Sequence, residues 1–191
     1  MAYAFANIAF TPSVRHQQDK NGSGNYASFL SDARAGGDIL SDREHSFIES
    51  CDGFYQATVS ESGWPYVQFR GGPLGFLRAD GDNTITYADL RGNRQYISLG
   101  NLSQDNRISL IIMNYAQAQR LKIWGRATTI ERTDDIANAW PAKAERLVRI
   151  SVEAFDWNCP NHIPRRLTAE EFGGEITILK AENQALRQRL A

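Results

Sequence analysis

The 191-residue sequence has two cysteines, no long apolar run and no excess of one charge. Its formal net charge is −1, so it lacks the large positive surplus with which proteins bind nucleic acids or anionic membranes non-specifically. No stretch approaches the roughly 20 apolar residues of a membrane span. The first seven residues, Met1–Asn7, have neither the basic nor the apolar region of a signal peptide. These absences predict a cytoplasmic protein without nucleic-acid or membrane partners.

The residues that bind metals or form disulfides are equally sparse. Cys51 and Cys159 lie far apart and form no C-x-x-C pair, so we interpret them as reduced thiols, with a single bridge as the alternative. Cys159 and His162 have C-x-x-H spacing, which is only half of the four-ligand set of a structural zinc site. The sequence therefore predicts no metal site.

From residue 54 onward, β-forming residues alternate with polar ones between short turns. The stretch Arg107–Tyr115 is so apolar that it predicts a strand buried on both faces. The predicted strands are 54–59, 64–70, 84–88, 107–115, 121–131 and 146–155. This pattern is typical of a mainly β fold, a closed or nearly closed antiparallel barrel.

Helices are predicted in few places. Ser41 and Glu44 form a capping-box pattern before a short helix whose apolar face contains Phe47 and Ile48. Two more short helices are predicted over 93–102 and over 134–144, the latter with Asp134 as its N-cap. The chain thus divides into an N-terminal arm over 1–40, which is either mobile or wraps another subunit, a barrel domain over 41–168, and a C-terminal amphipathic helix over 169–191.

The C-terminal helix has a short heptad pattern of its own. The positions a, d, a, d, a are occupied by Ile176, Leu179, Asn183, Leu186 and Leu190. Such a helix either packs on its own barrel or pairs in a two-stranded coil, where a polar residue at position a sets the register.

Basic residues concentrate in the middle of the chain. Between residues 66 and 126 there are eight lysines and arginines against four acids; the basic residues are Arg70, Arg78, Arg91, Arg94, Arg107, Arg120, Lys122 and Arg126. Within this stretch, Arg70 precedes the glycine pair 71–72, and the segment 89–96 passes from a strand through Gly92 to Asn93, Arg94 and Gln95. Glycines permit close backbone approach, and arginine binds phosphate through a planar fork, so a small anionic ligand is expected here. Solvated strand positions are the alternative interpretation.

Several segments together resemble the FMN-binding split-barrel flavoproteins, and most closely the family related to pyridoxamine 5'-phosphate oxidase. The segments that carry the resemblance are YVQFRGGPLGFL (66–77), YADLRGNRQYISLGNL (87–102), RLKIWGRA (120–127) and FDWNCPNHIPR (155–165). The resemblance implies a split barrel that forms a homodimer, with one FMN in each of two clefts at the subunit interface.

The same resemblance implies roles for particular residues. It assigns the FMN phosphate to Asn93, Arg94 and Gln95 and the isoalloxazine ring to the strand containing Val67, Gln68, Phe69 and Arg70. Two residues of a strand that approaches the flavin from the second subunit are also implied, namely Arg120 and Lys122. It also implies that Trp157 and Asn158 close the cleft. His162 is a candidate for substrate contact or acid–base catalysis, and a structural loop histidine is the alternative.

The sequence departs from true pyridoxamine-phosphate oxidases at two places. Gln95 stands where those enzymes commonly have a lysine, and the chain reads His162-Ile-Pro-Arg-Arg in place of their Arg-x-His pair. We therefore expect an FMN-dependent oxidoreductase that is not a vitamin B6 oxidase and that acts on a small molecule or a nicotinamide reductant. A non-catalytic flavin-binding, storage or redox-sensing module is the alternative.

Overall fold

A computed structural model describes residues 1–31, 33, 35–131, 133, 139–140, 144–157 and 161–189, the side chains of residues 171, 175 and 189 excepted. Three α-helices, α1 (Tyr3–Ala9), α2 (Pro12–Lys20) and α3 (Asp42–Glu49), lie before the first strand, with a 3-10 helix over Gly24–Leu30. The strands are β1 (Gly53–Val59), β2 (Pro65–Gly71), β3 (Leu77–Ala79), β4 (Thr84–Leu90), β5 (Arg107–Asn114), β6 (Gln119–Glu131) and β7 (Ala144–Trp157). Helix α4 (Ile97–Gln104) lies between β4 and β5, and α5 (Ala169–Arg189) ends the described chain. No helix within these ranges is long and apolar enough to cross a membrane.

The strands form one antiparallel sheet in the order β2-β1-β5-β6-β7-β4-β3. β6 and β7 pair over most of their length, with one register shift between Trp124 and Gly125. A long pair with an irregularity of this kind lets a sheet curl around its apolar face. The prediction of a mainly β, antiparallel split barrel followed by a C-terminal helix is thereby confirmed.

The strand that is buried on both faces is β4 and not β5. The five residues from Ile85 to Asp89 of β4 are all buried. In β5 buried and exposed residues alternate, and Ile111 is 38% exposed. The prediction for β5 was wrong because continuous apolar sequence alone does not distinguish a core strand from one with an apolar outer face.

The N-terminal helix α1 packs against the barrel strands of its own chain. Phe5 of α1 is 4% exposed, and its ring stacks on that of Trp124 in β6 at a centroid distance of 4.5 Å. The amino group of Met1 lies 3.6 Å from the carboxylate of Asp156 in β7. The predicted N-terminal arm over 1–40 did not include packing of α1 on its own barrel.

The capping box predicted at α3 is present. The carboxylate of Glu44 accepts a hydrogen bond from the Ser41 backbone N–H at 2.9 Å and another from the Ser41 hydroxyl. Its other oxygen accepts from the indole N–H of Trp157 at 2.6 Å. Burial favours the neutral acid, but these hydrogen bonds outweigh it and lower the pKa of Glu44. Phe47 and Ile48 of the same helix are buried as predicted.

The last 33 residues cluster with the tip of the β5–β6 hairpin, residues 114–119, as a second compact unit. Its helix α5 exposes its apolar side chains: Phe172 is 55%, Leu179 61% and Leu186 57% exposed. Packing of this helix on its own barrel therefore stays a prediction, as does its pairing in a two-stranded coil. The helix predicted over 134–144 falls largely outside the described residues, except that Ala144 begins β7.

Candidate functional site

The alternation of β2 separates two sets of side chains that the sequence places next to each other. Gln68 and Arg70 line one cavity together with Tyr66, because residues two apart share a face of a strand. Val67 and Phe69 point to the opposite face, where they are 63% and 58% exposed. The structure therefore brings only half of the predicted flavin-ring segment to this cavity.

The turn before α4 forms the second wall of the cavity. Arg94 has a φ of 64° and Tyr96 a φ of 53°, the left-handed region that residues with a side chain adopt rarely. The backbone N–H of Gln95 donates to the side-chain oxygen of Asn93 at 3.2 Å, which tightens the turn. This turn brings Asn93, Arg94 and Gln95 into the cavity wall, whereas the sequence predicted that they begin the helix.

Helix α4 begins at Ile97 without a side-chain cap. The first N–H groups of a helix have no partner within the helix, so this end of α4 offers donors and a partial positive charge. Ile97 and Leu99 contribute to the lining of the cavity, so the uncapped end lies at its wall. Such an end is suited to an anionic group.

Two polar contacts fix α4 on the sheet. The hydroxyl of Ser98 donates to the side-chain oxygen of Gln68 at 3.0 Å, and the amide of Asn101 donates to the Thr58 hydroxyl at 3.0 Å. Ser98 and Asn101 are buried. Because the oxygen of Gln68 is occupied by Ser98, its amide N–H groups are the part left to donate to a ligand.

A buried carboxylate between two arginines forms the floor of the site. One oxygen of Asp89 accepts from Arg70 at 2.6 Å and the other from Arg146 at 3.0 Å. The side chains of Arg70, Asp89 and Arg146 are 18%, 10% and 13% exposed. Pairing of Asp89 with Arg146 follows from the β4–β7 register, in which the two residues are directly opposite. The arrangement leaves one net positive charge at the floor.

Glu145 connects this floor to the turn. Its carboxylate lies 3.6 Å from Arg146 and 3.8 Å from Arg91, and it accepts a hydrogen bond of 3.4 Å from the Tyr96 hydroxyl. Burial disfavours the charged form of Arg146, but the hydrogen bond and charge of Asp89 outweigh it, so the pKa of Arg146 is raised. Arg146 therefore stays charged at any physiological pH.

The cavity enclosed by these elements has a volume of 40 Å³, which is room for a few water-sized atoms. Within the described part of the chain, Arg94 forms no ion pair, and the buried Nε of Arg70 has no hydrogen-bond partner. A buried donor without a partner costs free energy unless a ligand or water accepts from it. The cavity thus fits the anionic end of a ligand, while a ring system of flavin size would extend beyond it.

The remaining predicted residues do not line this cavity. Arg120 lies at the start of β6 with its Nε buried, and Lys122 lies over the Phe5 ring at 5.5 Å from the centroid. Trp157 packs edge-to-face against Phe47 at 4.7 Å. His162 is exposed, with a φ of 67°, in the second compact unit. Asn158 lies outside the described residues.

Sequence reasoning missed Asp89, Tyr96, Ser98 and Glu145. One signal was available for Asp89. An acid within a strand of β-forming residues is expected to be buried, and a buried acid needs a cationic partner. Nothing in the sequence indicated which arginine that partner is. Groups of three or more potential metal ligands do not occur among the residues that the structure describes.

Comparisons with known proteins identify what the chain is similar to. Residues 40–169 match the family model described as pyridoxamine 5'-phosphate oxidase. A variant of the HupZ protein of Group A Streptococcus is 14% identical, with a TM-score of 0.50 over 62% of this chain and 99% of that one. A candidate pyridoxamine 5'-phosphate oxidase from Lactobacillus delbrueckii is 15% identical, with a TM-score of 0.50 over 62% and 94%. An FMN-binding protein from Syntrophomonas wolfei is 12% identical, with a TM-score of 0.45 over 62% and 88%. No curated protein sequence matches.

Proposed function

Because the chain belongs to the pyridoxamine 5'-phosphate oxidase family, we propose that it is a cytoplasmic flavoprotein that binds FMN and transfers electrons between a small molecule and that flavin. The observation that carries the proposal is the cavity between β2 and the uncapped end of α4. Its donors suit a phosphate: the Arg94 guanidinium, the Gln95 amide, and the N–H groups of the first turn of α4. When bound, the flavin would supply the hydride or electron chemistry.

The ring system of FMN is assigned to the surface next to Gln68 and Arg70. The 40 Å³ cavity accepts only the phosphate end, so the rest of the ligand would extend along β2. Arg70 is held by Asp89 and Gln68 by Ser98, so both side chains are positioned before the ligand arrives. Prior ordering of this kind reduces the entropy lost on binding.

A homodimer is part of the proposal. Phe69, Tyr55 and Ile111 form a row across β2, β1 and β5 in which the side chains are 58%, 40% and 38% exposed. Neighbouring exposed apolar side chains are typical of protein interfaces. Arg120 and Lys122 are then candidates for contact with the flavin of the other subunit, and Trp157 is a candidate for closing the cleft, as the family resemblance implies.

The phosphate assignment is tested by comparing two ligands that differ only in the phosphate. We expect Arg94→Ala to weaken FMN binding by about tenfold to a hundredfold, because a charge-assisted hydrogen bond is lost, and to leave riboflavin binding unchanged. Arg126→Ala is the matched control, since it removes the same charge from an ion pair that is half exposed and outside the cavity. Titration with either ligand, followed by flavin fluorescence, gives the affinities.

A colourless protein that also fails to bind added FMN would overturn the proposal. Equal weakening of FMN and riboflavin by Arg94→Ala would overturn the phosphate assignment alone. Turnover separates the two functions: an oxidoreductase re-reduces and re-oxidises its flavin rapidly with some donor, and a storage or sensing module binds FMN tightly and does neither. The departures at Gln95 and His162 lead us to expect no oxidation of pyridoxamine 5'-phosphate.

A further inference from the structure

Three of the four exposed large apolar side chains of α5 follow a heptad pattern that is longer than two repeats, and the fourth, Ile178, lies at position c outside it. Phe172, Leu179 and Leu186 occupy successive d positions, and Ile176 occupies the a position between the first two. The three d side chains are each more than half exposed. Exposed apolar residues in one stripe of a helix need a partner surface, since burying them is the main source of stability for such a helix.

The charged residues next to this stripe have no opposite charge within reach in their own helix. Glu182 lies at position g, and its neighbours three and four residues away are Ile178, Leu179, Ala185 and Leu186. Lys180 and Arg187 lie at position e, and their described neighbours at the same spacings carry no acid. Side chains three or four apart are the pairs that meet along one helix, so these charges serve no salt bridge within α5.

Pairing with a second copy provides the missing partners only when the two helices are parallel. In a parallel two-stranded coil, position g of one helix faces position e of the next heptad in the other, so Glu182 meets Arg187 of the second copy. The preceding heptad of the sequence repeats this order, with Glu175 at g and Lys180 at e. In an antiparallel pair, g faces g and e faces e, so the basic residues Lys180 and Arg187 would face one another and neither would meet Glu182.

Asn183 supports the same arrangement. It lies at an a position between Leu179 and Leu186, where a polar residue destabilises most packings but is matched when two copies are parallel and in register. Two consecutive glycines, Gly173 and Gly174, weaken the first half of the helix by about 1 kcal/mol each relative to alanine. Pairing with a second helix therefore adds most stability in the second half of α5, which contains Asn183 and the charged positions.

We propose that α5 pairs with α5 of a second copy of this chain as a parallel, in-register, two-stranded coiled coil. The contact uses the stripe of Phe172, Ile176, Leu179 and Leu186, with Asn183 opposite Asn183. It is separate from the β-sheet face assigned to the flavin-binding dimer and does not depend on flavin.

The first test is cross-linking in the full-length protein. Asn183→Cys places a thiol at an a position, and Ala181→Cys places one at position f, which points away from a partner helix. Both are made with Cys159→Ser to remove a second thiol, while Cys51 is retained because its burial raises its pKa to about 11 and keeps it unreactive. We expect most Asn183→Cys chains to form a disulfide dimer in glutathione buffer, and Ala181→Cys chains to form no more than the parent.

The second test addresses the parallel orientation. In the Asn183→Cys protein, Glu182→Lys should lower the equilibrium yield of disulfide about tenfold, because two exposed charge pairs per coil change from attraction to repulsion. Arg187→Glu alone should act in the same direction. The two changes together should restore the yield, since the pairs are then re-formed with exchanged signs.

Equal cross-linking at positions 183 and 181 would overturn the coiled coil, provided that circular dichroism shows the same helix content in both variants. Cross-linking at 183 without rescue by the exchanged charges would overturn the parallel g–e pairing. A tail that cross-links at neither position but retains another protein in a pull-down would equally overturn self-pairing. Tails that meet only because the sheet dimer holds two chains together would cross-link at 183 and 181 alike, so the difference between the two positions reports pairing of the helices.

Discussion

The stability of the site depends on Asp89, and replacing this residue tests the reasoning most directly. Asp89 accepts hydrogen bonds from Arg70 and Arg146, and all three side chains are at most one-fifth exposed. Asp89→Asn keeps the shape of the side chain but removes its charge and one acceptor oxygen. The guanidinium of Arg70 would then remain without a counter-charge, and that of Arg146 would keep only the carboxylate of Glu145 at 3.6 Å.

Breaking a buried ion pair by removing one partner costs about 3 to 5 kcal/mol, because the remaining charge stays desolvated. The partial exposure of Arg70 lets water compensate some of this loss, so we expect about 3 kcal/mol. For a denaturant slope of roughly 2 kcal/mol per molar urea, the unfolding midpoint would fall by about 1.5 M. The measurement is urea unfolding of flavin-free protein at fixed concentration, because ligand and subunit binding shift apparent stability.

Asp105→Asn is the matched control. Asp105 pairs with Arg107 on the surface, where the hydrogen bonds from that arginine lower the pKa of Asp105 to about 2. The same chemical change there should leave the midpoint almost unaltered, since an exposed pair is solvated in either state. Equal midpoints for the two variants would refute the argument that burial makes Asp89 important.

Two further predictions concern the N-terminal half of the molecule. The pKa of Glu44 is lowered from 4.5, so its contribution to stability is present above that pH and is lost as the pH falls through the lower folded-state pKa. Below pH 4.5 the wild type should therefore lose stability more steeply than Glu44→Gln in unfolding curves measured against pH, and parallel slopes would contradict this sign. Phe5→Ala should destabilise the protein by about 3 kcal/mol, because it leaves a cavity against Trp124. A loss within error in urea unfolding, with unchanged tryptophan fluorescence, would mean that α1 does not pack there in solution.

The sequence predicted the long strands well because their signal is strong. β7 alternates cleanly from Val148 to Ala154, and β6 follows the same period over most of its length. β3 was missed because three residues are too few for any period. The start of α4 was predicted four residues early because left-handed backbone at Arg94 and Tyr96 has no sequence signal when neither residue is glycine.

Part of the site could be predicted from the sequence, and the rest depends on strand alternation and on contacts between residues distant in the sequence. The resemblance implied the segment 67–70 as a whole, but the two-residue period of β2 directs Gln68 and Arg70 to the cavity and Val67 and Phe69 away from it. The partner of Arg70 is 19 residues away on β4, and no local pattern identifies it. Long-range pairing of this kind is fixed by strand register, which a single sequence does not determine.

The ring of Phe69 lies over Gly53 and Gly71, which are opposite each other at the end of the β1–β2 pair. A side chain at position 53 would collide with that ring and approach the Arg70 carbonyl, so the observed alignment favours glycine there. A slip of β2 by a single residue would exchange its two faces, turning Phe69 toward the cavity and Arg70 toward the outer surface. The fit of Phe69 against Gly53 on the outer face therefore helps to decide which side chains of β2 line the cavity. Insertions within 65–71 should be tolerated far less than substitutions at any one exposed position of this segment.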